Sequence, residues 1–315
     1  MRADSHYLDA TVVPANVEYP TDAKLLNRAR AWTVKTIQVL RQRFNVQENV
    51  RTYCRVAKRA YLNFQKKRRK TKVEVRKMQG KMARYLRRNV KQLEGFLKEY
   101  GTRLKKTEAS FVNRRLEVVK TIYAQQNTMW KTKTNTIKDR IVSLHLPRIR
   151  VMVRGKDGRE VEFGPKVLLS WAGEFCFMDA LKFEAYNEGG LLKESLEKYK
   201  ERFGRYPKDS TGDGIFGTRA NRELLKELKI RGGFKALGRA AKNTENRQWL
   251  RGKQRERGSL MEGIIGHAKT HYGLDRALYT IDGGEEIWTR MSLTAMNLMT
   301  ALKIMNTMEA KAIQA

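Results

Sequence analysis

The spacing of apolar positions divides the chain into three textures. Tyr7 to Val13 is short, apolar and β-branched, and predicts a strand. From Thr21 to Leu146 there is no proline and little glycine, which permits long helices. That stretch follows Pro20, and Thr21 or Asp22 can cap its first helix; Leu25, Ala29, Trp32 and Val39 then recur at helical spacing. Leu86, Val90, Leu93, Leu97, Tyr100 and Leu104 alternate at four and three, and Val112, Leu116, Val119 and Tyr123 repeat the pattern. A period of about 3.5 predicts helices packed as a coiled-coil-like hairpin, with its turn around Lys106 to Ser110.

The third texture begins after Pro147. Arg148 to Arg154, Val161 to Trp171 and Phe175 to Phe183 are apolar, β-branched or aromatic and are cut by Gly155, Gly158 and Gly173, which predicts strands joined by tight turns. Leu191 to Phe203 predicts an amphipathic helix ended by Gly204 and Pro207. A short segment from Thr211 to Phe216, a helix from Thr218 to Leu228 and a strand from Ile230 to Leu237 follow, then a basic loop from Gly238 to Lys242. From Glu256 onward the pattern is helical, with Met291, Ala295, Leu298 and Leu302 on one apolar stripe. Strands thus lie on both sides of a helical block. The expected fold class is α/β, with a long helical insertion after the first strand. The expected divisions are residues 1–22, 23–138 and 139–315.

Charge changes this picture from a generic α/β chain to one with a polyanionic partner. Of 315 residues, 66 are Lys or Arg against 33 Asp or Glu, a formal net charge of +33. Such a balance favours nucleic acid over an anionic membrane surface. Lys66-Lys67-Arg68-Arg69-Lys70 is either a solvated face or a track for phosphates, and Lys67 and Arg68 are its central candidates. No run of about 18 apolar residues is present, so no membrane span is expected. Cys54 and Cys176 have neither metal-ligand spacing nor a disulfide framework, and a reducing cytoplasm is the default compartment.

The chemistry-bearing segment is Met261 to Arg276, MEGIIGHAKTHYGLDR. Glu262, Lys269 and Arg276 are seven apart, which on a helix makes one stripe of an acid followed by two bases. Plain readings are open for the acids of the chain: Asp9 as a strand end, Asp213 as a turn residue between two glycines with Asp179 and Asp209 nearby, Glu262 as a helix-start acid.

Five segments, in order along nearly the whole chain, resemble the catalytic part of bacterial insertion-sequence transposases of the Asp-Asp-Glu type. They are LDATVVPANVEYPTDAKLLNRAR at 8–30, DRIVSLHLPRIRVMVRGKDGREVEFGPK at 139–166, AYNEGGLLKESLEKYKERFGRYP at 185–207, GDGIFGTRANR at 212–222 and MEGIIGHAKTHYGLDR. The resemblance implies a ribonuclease H-like mixed sheet flanked by helices. It implies Asp9, Asp213 and Glu262 as catalytic acids holding two Mg2+ or Mn2+ ions. The activity implied is cleavage at element ends and strand transfer into target DNA, by a homodimer on DNA in the bacterial nucleoid. Lys269 and Arg276 are implied phosphate contacts; Arg222 and Asn221 support the second acid, and Arg239 is a further backbone contact. Related enzymes often carry an Arg four residues before the Glu. Here that position is Gly258, and the adjacent Arg257, with Arg255, is expected to supply that charge as a DNA contact. Asp9 follows only eight residues, so the chain resembles a catalytic core lacking the family's front helical domain, and an inactive DNA-binding remnant is the alternative.

Overall fold

The computed structural model describes residues 4–48, 50–153, 161–184, 186–235, 237–238, 244–281 and 283–313. Gly155, Gly158 and the basic loop around Arg239 lie outside them. Two compact units appear, one formed by residues 1–16 and 151–315 and the other by 17–150. The division falls at 16/17 and 150/151 and not at the expected 22/23 and 138/139. The reason at the second boundary is burial: Ile141 and Leu144 sink into the helical core.

The helical unit is built on α1 (Asp22–Arg43), α3 (Lys72–Tyr100) and α4 (Lys106–Thr132), with a shorter α2 (Cys54–Lys66). Leu26, Ala29 and Ile37 of α1 pack with Met82, Leu86 and Leu93 of α3 and with Val119 and Ile122 of α4. The helices therefore form a three-membered core, beyond the two-helix hairpin that the heptads predicted. The turn between α3 and α4 comes earlier than expected. Glu108 accepts the Lys105 backbone N–H at 3.2 Å, so α4 begins at Lys106. Asp22 does not cap α1 by itself; it accepts Arg140 Nη2 at 2.5 Å and Gln126 Nε2 at 3.0 Å.

The other unit holds a five-stranded sheet in the order β5-β4-β1-β6-β7. Its strands are β1 (Ser5–Val12), β4 (Lys166–Ala172), β5 (Phe175–Lys182), β6 (Asp209–Thr211) and β7 (Arg231–Gly232). β2 (Val151–Val153) and β3 (Val161–Phe163) form a separate ribbon. The single strand expected from Val161 to Trp171 is broken where Gly164 crosses the Val13 carbonyl so closely that a Cβ would lie 2.0 Å from it. β1 pairs antiparallel with β4, and β4 with β5; β1 and β6, and β6 and β7, are parallel. β7 is much shorter than the strand expected from Ile230 to Leu237. Phe234 leaves the sheet to enter the core, and Gly233 passes within 2.0 Å, measured from an added Cβ, of Thr211 Oγ1.

Alternation along β1 divides its side chains between two helical layers. Leu8 joins Leu168, Leu192, Leu196, Phe216 and Leu225 under α5 (Leu192–Phe203) and α6 (Arg219–Glu227). Tyr7 and Asp9 face α7 (Thr244–His271), and α8 (Gly284–Ile313) packs on β5 beside it. α7 thus starts twelve residues before the expected Glu256 and stops well short of the chain end.

A buried polar chain ties the α5 side together. The β4–β5 register slips between Leu168 and Leu169, leaving Asp179 unpaired in a bulge. Its carboxylate accepts the Ser195 hydroxyl and Arg202 Nη2, the latter at 2.7 Å. Ser195 Oγ lies 3.1 Å from His6 Nε2, and His6 Nδ1 lies 3.1 Å from Ser210 Oγ, so β5, α5, β1 and β6 share one network. Burial pushes the His6 pKa down to about 4, with Arg202 adding to the drop and Asp179 opposing it. The folded protein therefore holds His6 neutral where the unfolded chain protonates it. Stability from this group is complete above pH 6.5 and is lost as pH falls toward 4. Urea unfolding at pH 7 and pH 4.5 should show a drop of which about 2 kcal/mol comes from His6. A His6→Gln chain should show a correspondingly shallower drop; an unchanged pH slope would contradict the network.

Candidate metal-binding acid pair

Two of the three expected acids come near one another. The parallel register of β1 and β6 matches Ser5 with Asp209 and Tyr7 with Thr211. Asp9 lies two residues past that last pair, inside β1 and opposite Leu169 of β4; Asp213 lies two residues past it, in the turn that follows β6. Asp213 Oδ1 accepts the Ile215 N–H at 2.9 Å and caps a short 3-10 turn, Gly214–Phe216. That turn is held from below. Phe216 is fully buried against Gly212, and Asn221 Nδ2 donates to the carbonyls of Gly189 and Phe216 at 2.7 and 2.8 Å. Asn221 thus braces the turn that carries Asp213.

Asp9 is largely enclosed and half-neutralised. Arg257 of α7 donates from Nη2 to Asp9 Oδ2 at 2.7 Å, and the Ala10 N–H donates to Oδ1 at 2.8 Å. Burial raises the Asp9 pKa; Arg257 and the Ala10 amide pull it down, and the Asp213 charge pushes it up again. The two carboxylates are therefore close enough to interact electrostatically. Arg257 takes up one oxygen of Asp9 while Gly258, beside it, carries no side chain.

The rival acids are accounted for elsewhere. Asp179 is buried on the α5 side with Ser195 and Arg202. Asp209 sits at the opposite end of β6, where it accepts Ser5 Oγ at 3.0 Å and pairs with Lys253 Nζ at 3.0 Å.

Glu262 is exposed on α7, next to the fully buried Met261 and five residues past Arg257. Among the described residues, no group of three or more His, Cys, Asp or Glu gathers as a metal-binding set. Glu262 therefore does not join Asp9 and Asp213 in this arrangement. The acid of α7 that does reach the sheet was not expected: Glu256 Oε2 accepts the Tyr7 hydroxyl at 2.5 Å. Lys253 Nζ donates to the same hydroxyl at 2.9 Å and to Ser5 Oγ at 2.8 Å, and Gln254 donates to the carbonyls of Gly212 and Gly233. These contacts dock α7 across β1, β6 and the Asp213 turn. Only the ERG run before Ser259 hinted at them, and acids and bases on a helix do not by themselves disclose which faces a sheet.

The expected basic residues divide. Lys269 is half-buried on α7. Arg276 leaves the stripe, because α7 ends at His271 and Gly273 turns the chain with φ +74. Its guanidinium holds Asn16 Oδ1 at 2.8 and 3.0 Å, beside the Ala15–Ala277 bridge. Arg222 donates to the carbonyls of Gly217 and Lys235 and so braces two loops. Lys67, in the helical unit, pairs with Glu74 at 2.5 Å, and Arg68 is exposed next to it. Arg239 lies outside the described residues. No family model, curated protein or solved structure matches the chain. Among the described residues, no helix is long and apolar enough to cross a membrane.

The electrostatic coupling has a direct consequence. Asp213→Asn should lower the Asp9 pKa and Arg257→Ala should raise it, read from the pH titration of the Asp9 carboxyl carbon by NMR. An Asp9 titration that neither variant moves would show that the two acids do not interact.

Proposed function

We propose that this chain is the catalytic core of a DNA transposase of the Asp-Asp-Glu type, built on a ribonuclease H-like sheet with the helical unit inserted after the first strand. The observation that carries the reading is that Asp9, within β1, and Asp213, in the turn just past the parallel strand β6, lie near enough for the charge of one to oppose ionisation of the other. Three antiparallel strands followed by two parallel ones, with helices on both faces, support the fold assignment. The net charge of +33 supports a nucleic-acid substrate.

The donor chemistry fits hard divalent cations. Two oxygen-donor carboxylates lie near one another, the charge of one already opposing ionisation of the other, and the monovalent Arg257 guanidinium offsets part of that charge. Asp9 and Asp213 would hold Mg2+ or Mn2+; Glu262, the third acid that the resemblance implies for a two-ion site, stands apart from this pair. Bound there, such ions activate the attacking oxygen and stabilise the leaving one. Arg257 keeps Asp9 ionised and oriented. The capping bond from Ile215 and the Asn221 brace fix the direction of the Asp213 carboxylate. Lys269, Arg276, Arg222, Arg239, Lys67 and Arg68 are proposed as contacts to DNA phosphates, with two copies engaging paired element ends in the bacterial nucleoid.

Two observations favour a second reading, a DNA-binding remnant without chemistry: Glu262 stands apart from the acid pair, and Arg257 occupies an Asp9 oxygen. Nicking of a duplex carrying an element end separates the two. Asp213→Ala should lower Mn2+-dependent nicking by about three orders of magnitude while DNA affinity stays within about twofold. Equal nicking by both chains would refute the catalytic assignment, and no nicking by either would favour the remnant.

A further inference from the structure

The end of α7 sets two histidines on one face. His267 and His271 are four apart, so their rings project from the same side of the helix on successive turns. Both residues are exposed, and their ring centres lie 4.8 Å apart. Tyr272 meets the His267 ring edge-on, with centres 5.3 Å apart and planes at 70°, which limits rotation of that imidazole. The separation of the two rings matches a shared metal ion. An ion about 2.1 Å from one nitrogen of each ring stands about 3.2 Å from each ring centre, and bond angles between about 90° and 109° then place the centres about 4.5–5.2 Å apart.

We propose that His267 and His271 bind one divalent cation of the Zn2+, Ni2+ or Cu2+ class, each through one ring nitrogen. Imidazole suits these ions, whereas Mg2+ and Mn2+ favour oxygen donors, so the site is chemically distinct from the acid pair. It is also separate in space: His267 lies ten residues past Arg257, about 15 Å further along α7. Among the described residues, no third His, Cys, Asp or Glu completes a ligand set, so water fills the remaining positions. Glu174, exposed in the β4–β5 turn, lines the same hollow as His267 and sets an acid near the site in a chain of net charge +33. The other two histidines are engaged elsewhere, His6 between Ser195 and Ser210 and His145 beside Arg115. A chelate spanning one helical turn ties down the end of α7, where the last carbonyls lack helical partners. The site is independent of the transposase reading.

Calorimetric titration of the tag-free, metal-stripped, nucleic-acid-free full chain with Zn2+ tests the site, with about 5 mM Mg2+ present to occupy oxygen-donor sites. One ion per chain is expected, with a Kd on the order of 10 µM. His267→Ala and His271→Ala should each weaken binding at least about tenfold, and His145→Ala should leave it within about twofold. Both ligand positions are exposed, so circular dichroism of these variants should match wild type. NMR of the histidine ring nitrogens reads the same site in the unaltered chain: Zn2+ should move the His267 and His271 signals and leave those of His6 and His145 in place. No binding by wild type, binding indifferent to either ligand substitution, an equal loss in His145→Ala, or shifts confined to His6 and His145 would each overturn the proposal.

Discussion

The parallel pairing of β1 with β6 is the constraint on which the rest depends. Its register brings Asp9, inside β1, near Asp213, in the turn just past β6, although the two are more than 200 residues apart in sequence. A slip of one residue would turn Asp9 onto the opposite face, among Leu8's neighbours, and move Tyr7 away from α7. Like charges placed together in a partly enclosed position oppose folding. The structure offsets part of this with Arg257 and two backbone amides.

The same strand organises both layers of helix. Its even-numbered residues, His6 and Leu8, hold α5 and α6 through a buried polar chain and an apolar cluster. Its odd-numbered residues, Ser5, Tyr7 and Asp9, take Lys253, Glu256 and Arg257 from α7. Fixing β1 on one side by hydrogen bonds that need a neutral His6, and on the other by ion pairs, leaves the acid pair little freedom to shift. Such preorganisation suits a site that must concentrate negative charge.

Much of this arrangement was legible in the sequence where local periodicity or turn chemistry decided it. The strand bearing Asp9, the Gly212-Asp213-Gly214 turn, α5 and the heptads of α3 and α4 all followed from spacing. What escaped depended on contacts distant in sequence. The bulge that turns Asp179 away from the pair is a property of two strands together. The departure of Arg276 from its stripe came from one positive φ at Gly273. Glu256 reached Tyr7, and Glu262 stayed outside, because of how α7 crosses the sheet, which no helical wheel contains. The stripe at Met291 to Leu302 was recognised, but periodicity does not say whether an apolar face is buried or exposed.

Mn2+ uptake by the nucleic-acid-free protein, followed by loss of the free-ion electron paramagnetic resonance signal, tests the central claim most directly. Wild-type protein should bind the ion, and Asp9→Asn and Asp213→Asn should each abolish that binding, because the pair acts as one ligand set. Equal uptake by wild type and both variants would contradict a metal site at Asp9 and Asp213.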